Sequence, residues 1–346
     1  MTPLYKTSDW HLGVIRSAGT RPDTAYQLRQ DLLREFEEML YNIVTDGDLI
    51  LNGDLFDGPA ISMADLAQTF AVLSDWLVRT GKKLWLPNGN HDLSKNSTNF
   101  SSYQFLAKLL SDQFPDQVTH IVEGTDIGNG CYVLPHVTNQ DILEIELKKV
   151  PACDYLFVHA NFANVFAQEA DHSLSISEDQ IRALPAKIVV FSHEHIGRIE
   201  MRGRVVIVGN ARPSSISDCL GNTSKRMVRI TDAGLEFIET WKADGDYIEM
   251  PWNELQETGA RFVRAVGTAT ADQAAAVVTA IARFRAQSPA LIVGNAVKVE
   301  GVNNAEELAL SVEQITSFNV RAALAELLTP EENAKLEALN AASDQN

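Results

Sequence analysis

Residues 48–58 read Asp48-Leu49-Ile50-Leu51-Asn52-Gly53-Asp54-Leu55-Phe56-Asp57-Gly58. Leu49 to Asn52 has the length and apolarity of a short buried strand, a glycine ends it, and two carboxylates follow three residues apart on the exit loop. A carboxylate has two oxygens and can give one to each of two divalent cations about 3.5–4 Å apart, which makes Asp54 the candidate bridge. Alone, the stretch is also what an ordinary strand-to-helix turn looks like. It gains meaning because a strand running into a polar, ligand-type loop recurs at four other places.

Upstream, Leu4 to Ser8 runs into Asp9-Trp10-His11-Leu12-Gly13. In an extended segment Asp9 and His11 project to one face and can reach one ion; oxygen with imidazole suits manganese, iron or zinc better than calcium. Downstream, Lys83 to Pro87 ends in Asn88-Gly89-Asn90-His91-Asp92, where an Asn90 amide oxygen is a neutral ligand and His91 can lean over whatever the metals hold. Asp154 to Val158 ends in His159, and Lys187 to Phe191 ends in Ser192-His193-Glu194-His195. His193 and His195 alternate with Glu194, so both can face one site while Glu194 points away. Leu134-Pro135-His136 borders a possible cleft, and His120 and His172 read as surface histidines.

Between these strands, Tyr26 to Thr45 and Met63 to Arg79 carry apolar residues at helical period, and Tyr103 to Ser111 reads as a third helix. Strand, helix, strand, helix implies parallel crossovers. After Arg202 the pattern turns to alternation, with Val205 to Val208, Arg226 to Ile230 and Leu235 to Thr240 expected as antiparallel meanders closing a second sheet. Lys225, Arg226 and Arg229 form a small basic cluster. Residues 1–242 are thus one large α/β domain, 243–259 a polar linker, 260–302 a compact α/β unit of strand, helix and strand, and 303–346 an amphipathic helical tail.

The chain has 346 residues and is 45% hydrophobic, an ordinary soluble composition. No window is apolar for 18 residues and the opening Met1-Thr2-Pro3-Leu4-Tyr5-Lys6 lacks a signal-peptide core, which reads as cytoplasmic with no membrane association. Three cysteines without CxxC spacing argue against a disulfide framework or a structural zinc site. The formal charge of −17 repels nucleic acid, so a polyanionic substrate must be drawn locally, by bound cations, a basic patch or a basic partner.

Set in order, the pieces are Asp-x-His, Gly-Asp-x-x-Asp-Gly, Gly-Asn-His-Asp, His and His-x-His. Over residues 4 to 240 the chain resembles the calcineurin-like metallophosphoesterases, which implies a four-layer α/β/β/α sandwich and two divalent metal ions. Carried over residue by residue, one ion lies between Asp9, His11, Asp54 and His195, and the other between Asp54, Asn90, His159 and His193. His91 matches the histidine that faces the scissile phosphate. Asp57 matches the acid that in some branches hydrogen-bonds that histidine, orienting it and keeping it protonated. The resemblance implies water activated by the two cations and attacking the phosphodiester in line.

Ser8-Asp9-Trp10-His11-Leu12-Gly13 and Gly53-Asp54-Leu55-Phe56-Asp57 look most like the SbcD-type nuclease subunits and their tailed-phage recombination counterparts. That likeness implies a manganese-dependent exonuclease on duplex DNA ends and endonuclease on single strands or hairpins, with magnesium, iron and zinc as other metals. It also implies an SMC-type ATPase partner (SbcC-like) gripped by the C-terminal helices, and a homodimer. The chain departs from the pattern at Ser192, where the family usually has glycine, and at Asp57, where some nuclease branches have a second histidine. Two other readings are a metallophosphatase or cyclic-nucleotide phosphodiesterase, favoured by the acidic charge, and a low-activity metal-bound scaffold, which has no use for His91.

Overall fold

The computed structural model describes residues 2–300 except 16–18, 25, 95–98, 164–173 and 221–223. The tail over 303–346 and His172 lie outside the described residues.

Strand β1 (Leu4–Thr7) pairs in parallel with β2 (Asp48–Leu51), β2 with β3 (Leu84–Pro87), and β3 with β4 (Val118–Ile121). The links from β1 to β4 carry α1 (Gln27–Asn42), α2 (Met63–Thr80) and α3 (Ser102–Gln113), the crossovers read from the helical periodicity. Each helix turns one stripe inward: Leu28, Leu32, Phe36, Met39 and Leu40 on α1, and Leu66, Leu73, Trp76 and Leu77 on α2. Ser62 caps α2 by accepting from the Asp65 amide, and Ser101 with Gln104 forms a capping box on α3; such caps contribute about 1 kcal/mol each.

The second sheet is built from β5 (Thr125–Gly128), β6 (Cys131–Leu134) and, after α4 (Gln140–Leu147), β7 (Cys153–His159). A small pair, β8 (Asn161–Phe162) with β9 (Ser175–Ile176), precedes β10 (Ala186–Ser192), β11 (Arg198–Glu200) and β12 (Val205–Ile207). β6, β7, β10 and β12 are mutually parallel in the order β11-β12-β10-β7-β6-β5. The faces the two sheets turn to each other meet through Leu4, Ile50 and Trp85 on one side and Val133, Phe157 and Val190 on the other. Helices α1–α3 cover the outer face of the first sheet, while α4 and the helix Glu178–Ala183 cover the second with Leu143, Leu147 and Ile181. This is the four-layer α/β/β/α sandwich.

Two expectations are corrected. The hairpin of β13 (Ser224–Thr231) and β14 (Gly234–Lys242) does not close the second sheet; β13 runs antiparallel beside β1 and extends the first, Leu4 opposite Ile230. Alternation marks a half-buried strand but does not say which edge it joins. The segment 243–259 is not bare linker, because β15 (Tyr247–Pro251) lies in it and pairs in parallel with β16 (Phe262–Ala269), in a sheet completed by β17 (Ile292–Val299). Its polar composition hid a strand with a single buried side chain, Met250.

The small unit is seated on the large one. Phe262, Leu291 and Ile292 belong to the same apolar cluster as Phe36 and Trp241. Arg261 pairs with Glu35 at 2.8 Å and with Asp246 at 2.7 Å, and Val293 N donates to the carbonyl of Gly19 in the loop that follows the Asp9–His11 exit.

Candidate metal centre

All five loops that carry candidate ligands leave the same end of the paired sheets. Parallel registry brings Thr7 level with Leu51 and Ser192 level with His159, so the side chains that follow meet across the gap between sheets. The exits of β1 and β2 stay laced together: Asp9 N donates to the Gly53 carbonyl, His11 N to Asp54 O, and Leu12 N to Leu55 O. Asp9 and His11 do share a site, but not through an extended segment. Both take left-handed backbone, φ 53° and 49°, as do Asp54 at 51° and His193 at 89°. Such non-glycine conformations cost of order 1 kcal/mol each and persist only where the surroundings hold them.

Two clusters result. Asp9, His11 and His195 put their ligand atoms within 4.8 Å of one another, and so do Asp54, His159 and His193. Asn90 joins the second, its Oδ1 lying 2.9 Å from both His159 Nε2 and His193 Nδ1. Asp54 Oδ2 is 3.3 Å from His159 Nε2, and the Asp54 charge also acts on His11, so its carboxylate is felt by both clusters. Glu194 turns outward, as expected, accepting from Phe162 N at 2.7 Å and pairing with Arg198.

The donor set fits cations. His159 Nδ1 lies 3.0 Å from the Asn52 carbonyl, which can only accept, so Nδ1 carries the hydrogen. A neutral His159 then turns its Nε2 lone pair toward Asn90 Oδ1 at 2.9 Å and Asp54 Oδ2 at 3.3 Å, a set of acceptors that a cation or an extra proton satisfies. Burial opposes the imidazolium of His159, but the Asp54 carboxylate outweighs it and raises the group to about 9, while burial and the His159 charge lower His193 to about 4. Burial likewise opposes a charge on His11, and the carboxylates of Asp57, Asp54 and Asp9 more than offset it. Binding a metal here displaces a proton.

His91 stands against this centre. Its N–H donates to Asp54 Oδ1 at 2.9 Å, and its ring meets His11 edge to face with centroids 4.9 Å apart. His91 Nδ1 is 2.7 Å from the backbone carbonyl of Asp57. The carboxylate of Asp57 lies elsewhere, 3.3 Å from His11 Nδ1 without hydrogen-bond alignment. The bond to His91 therefore comes from the main chain of residue 57, which a reading by residue type has no way to assign.

Around the centre stand residues to which the sequence reading gave no part in it, or a different one. Asp92 is wholly buried and accepts from Asp54 N and Gly89 N; burial and the Asp54 charge raise its carboxyl to about 7. Asp218 accepts from His195 Nδ1 at 2.7 Å. Lys225 Nζ donates to the His195 carbonyl at 2.8 Å, so this lysine is no part of a surface cluster. His136 sits with its ring 6.0 Å from that of His159 and is lowered by burial to about 3. His120, read as a surface histidine, is part-buried with Nε2 2.9 Å from Asn88 Oδ1. Ser192 is buried and its hydroxyl accepts from Asn52 Nδ2 at 2.7 Å.

A family model for the calcineurin-like phosphoesterases matches residues 3–197, more than half of the chain. The chain belongs to the calcineurin-like phosphoesterases. It is a metal-dependent phosphoester hydrolase with two candidate Asp/His metal groups. Among curated proteins nothing matches this phosphoesterase. Among solved structures, that of a novel archaeal phosphodiesterase aligns at 11% identity and a TM-score of 0.34, covering 68% of this chain and 99% of that one. Among the described residues no helix is long and apolar enough to cross a membrane.

Proposed function

We propose that this phosphoesterase is the two-metal DNA nuclease subunit of an ATPase-coupled recombination or repair complex, acting on duplex ends and on single strands or hairpins. Asp9, His11, Asp54 and His195 would hold one cation, and Asp54, Asn90, His159 and His193 the other, manganese being the first choice. Bound there, the cations supply an activated water and neutralise phosphate oxygens. The rest is done by the chain. His91, with Nδ1–H held by the Asp57 carbonyl, keeps Nε2 as the ring nitrogen that would donate, when protonated, to a phosphate oxygen or to the leaving oxygen. Asp54 holds His91 in place through the bond to its amide, so ligand and acid move as one piece.

The observation that carries the nuclease reading over a phosphatase is the appended strand–helix–strand unit after residue 260. It is built into the core through Phe262, Leu291 and Ile292 and pinned to the loop beyond His11 through Gly19. This supports the layout of the SbcD-type subunits, whose ATPase partner would be engaged by residues 303–346.

The test is hydrolysis of end-labelled linear duplex DNA by the purified chain with manganese, with and without chelator, beside a phosphodiester dye and a phosphomonoester dye. Metal-dependent loss of the DNA label supports the proposal; hydrolysis of the monoester alone overturns it. Truncation after Val302 should spare the diester dye and abolish capture of an SMC-type ATPase, and a truncated chain that still captures it removes the tail's role.

A further inference from the structure

We propose that Asp218 is a positioning residue that fixes the tautomer of His195 and so keeps the Nε2 lone pair of that imidazole aimed into the Asp9–His11–His195 cluster. The inference rests on the metal-centre reading above. Asp218 lies 23 positions beyond His195 and outside the residues matched by the family model, in a short 3₁₀ turn, Ser217–Cys219.

Both carboxylate oxygens are committed as acceptors. Oδ1 lies 2.7 Å from His195 Nδ1. Oδ2 receives Ser214 N at 2.8 Å, Ser214 Oγ at 3.1 Å and Ser215 N at 2.9 Å. Donors crowd Oδ2 and the carboxylate is buried, so the hydrogen between Asp218 and His195 sits on Nδ1. Nε2 is then unprotonated, and it is this atom that lies 3.1 Å from His11 Nε2 inside the cluster. The backbone of His195 is fixed as well, its carbonyl taking Lys225 Nζ at 2.8 Å and Asn210 N at 3.3 Å. A carboxylate behind a ligating imidazole orients the ring and raises its basicity.

The geometry makes Asp218→Asn sharper than a deletion. One edge of the new side chain is an NH₂ donor, and both edges face donors. If the amide nitrogen turns to Ser214 and Ser215, two backbone N–H groups lose their acceptor, which disfavours that rotamer. If it turns to His195, it donates to Nδ1 and drives the proton to Nε2, the nitrogen needed for the metal.

The experiment is manganese titration of the full chain, read by the electron paramagnetic resonance of free Mn²⁺, together with long-range ¹H–¹⁵N spectra of histidine-labelled protein, the His195 signals being assigned by their loss in His195→Gln. In the unmodified chain His195 should be the Nδ1–H tautomer. In Asp218→Asn the Nε2–H form should appear and one of two manganese sites weaken by about 10- to 100-fold, the other holding. Ser214→Ala, which trims only the Oδ2 side, should keep tautomer and affinity. An Nε2–H tautomer in the unmodified chain overturns the inference whether or not the variants fold, as does an Asp218→Asn protein with unchanged manganese affinity. Failure of the unmodified chain to bind manganese overturns the metal-centre reading instead.

Discussion

Gly89 lies where the loop after β3 crosses the loop after β2, and replacing it by alanine gives the most direct test of how the centre is assembled. A Cβ at this position would stand 2.2 Å from Asp54 Oδ1, 2.3 Å from Asp54 N and 2.9 Å from Gly53 C. Non-bonded carbon contacts are comfortable only about an ångström further out. Neither neighbour is a flexible tip: Asp54 Oδ1 accepts from His91 N at 2.9 Å, and Asp54 N donates to Asp92 Oδ2 at 2.8 Å. Gly89 has no positive φ, so the clash and not backbone strain sets the cost. The two loops must part by about 1 Å, a misplacement that costs on the order of 100-fold in rate, and overpacking takes about 1–3 kcal/mol of stability. The assay is metal-dependent hydrolysis of a diester dye beside urea unfolding, with Gly58→Ala as control, since a Cβ there meets nothing within 4 Å. Wild-type rate in Gly89→Ala would refute the claim that contact between these loops sets the Asp54–His91 geometry.

His91→Ala should lower hydrolysis by about 10²- to 10⁴-fold while two manganese ions still bind by elemental analysis; equal activity would remove its assigned role. Asp57→Asn should cost far less, because the bond to His91 comes from the residue 57 carbonyl, and a loss matching His91→Ala would return proton handling to the carboxylate. Lys6 is wholly buried with its ammonium on Ser8 Oγ at 3.0 Å, and burial lowers it from 10.5 to about 7. The unfolded chain therefore binds more protons between those two values, so Lys6 makes stability rise with pH across that window and costs stability below it. In Lys6→Met, thermal unfolding should lose that rise and Tm should increase at neutral pH; an unaltered slope would show the ammonium is not buried.

Which parts of this were readable from residues follows from what each signal encodes. The candidate ligands were legible because each lies a few residues past the end of a short apolar run, with an Asn-Gly turn marking two of the five exits, Asn52-Gly53 and Asn88-Gly89. The route to Asp9 and His11 was not, since Asp and His tolerate left-handed backbone without any compositional mark and an extended reading gives the same face by a different path. Asp218 was invisible because it depends on a turn folding back over 23 positions onto His195. The β13–β14 hairpin was seen as strands and placed in the wrong sheet, because its partner β1 is more than 200 residues away and no local pattern names an edge. Asp57 shows the limit most plainly. Its side chain invited a role that its carbonyl fills.

The acidic composition and the proposed polyanionic substrate have to be reconciled, and the basic residues bear on how. The cluster of Lys225, Arg226 and Arg229 is already engaged: Lys225 is buried on the His195 carbonyl, Arg226 stacks 3.8 Å from the Phe237 ring centroid, and Arg229 pairs with Asp46 and Glu236. With a formal charge of −17 and these three cations committed, divalent ions at the two clusters or a basic partner are the expected source of attraction to a phosphate backbone. Binding, and not only cleavage, should then need metal. Fluorescence anisotropy with phosphorothioate-blocked DNA should show little association in chelator and clear association with manganese. Its salt dependence should be shallow, because few Lys–phosphate contacts release counterions. Tight metal-free binding with a steep salt slope would mean that a basic surface acts on DNA independently of the centre, and the argument from committed cations would fail.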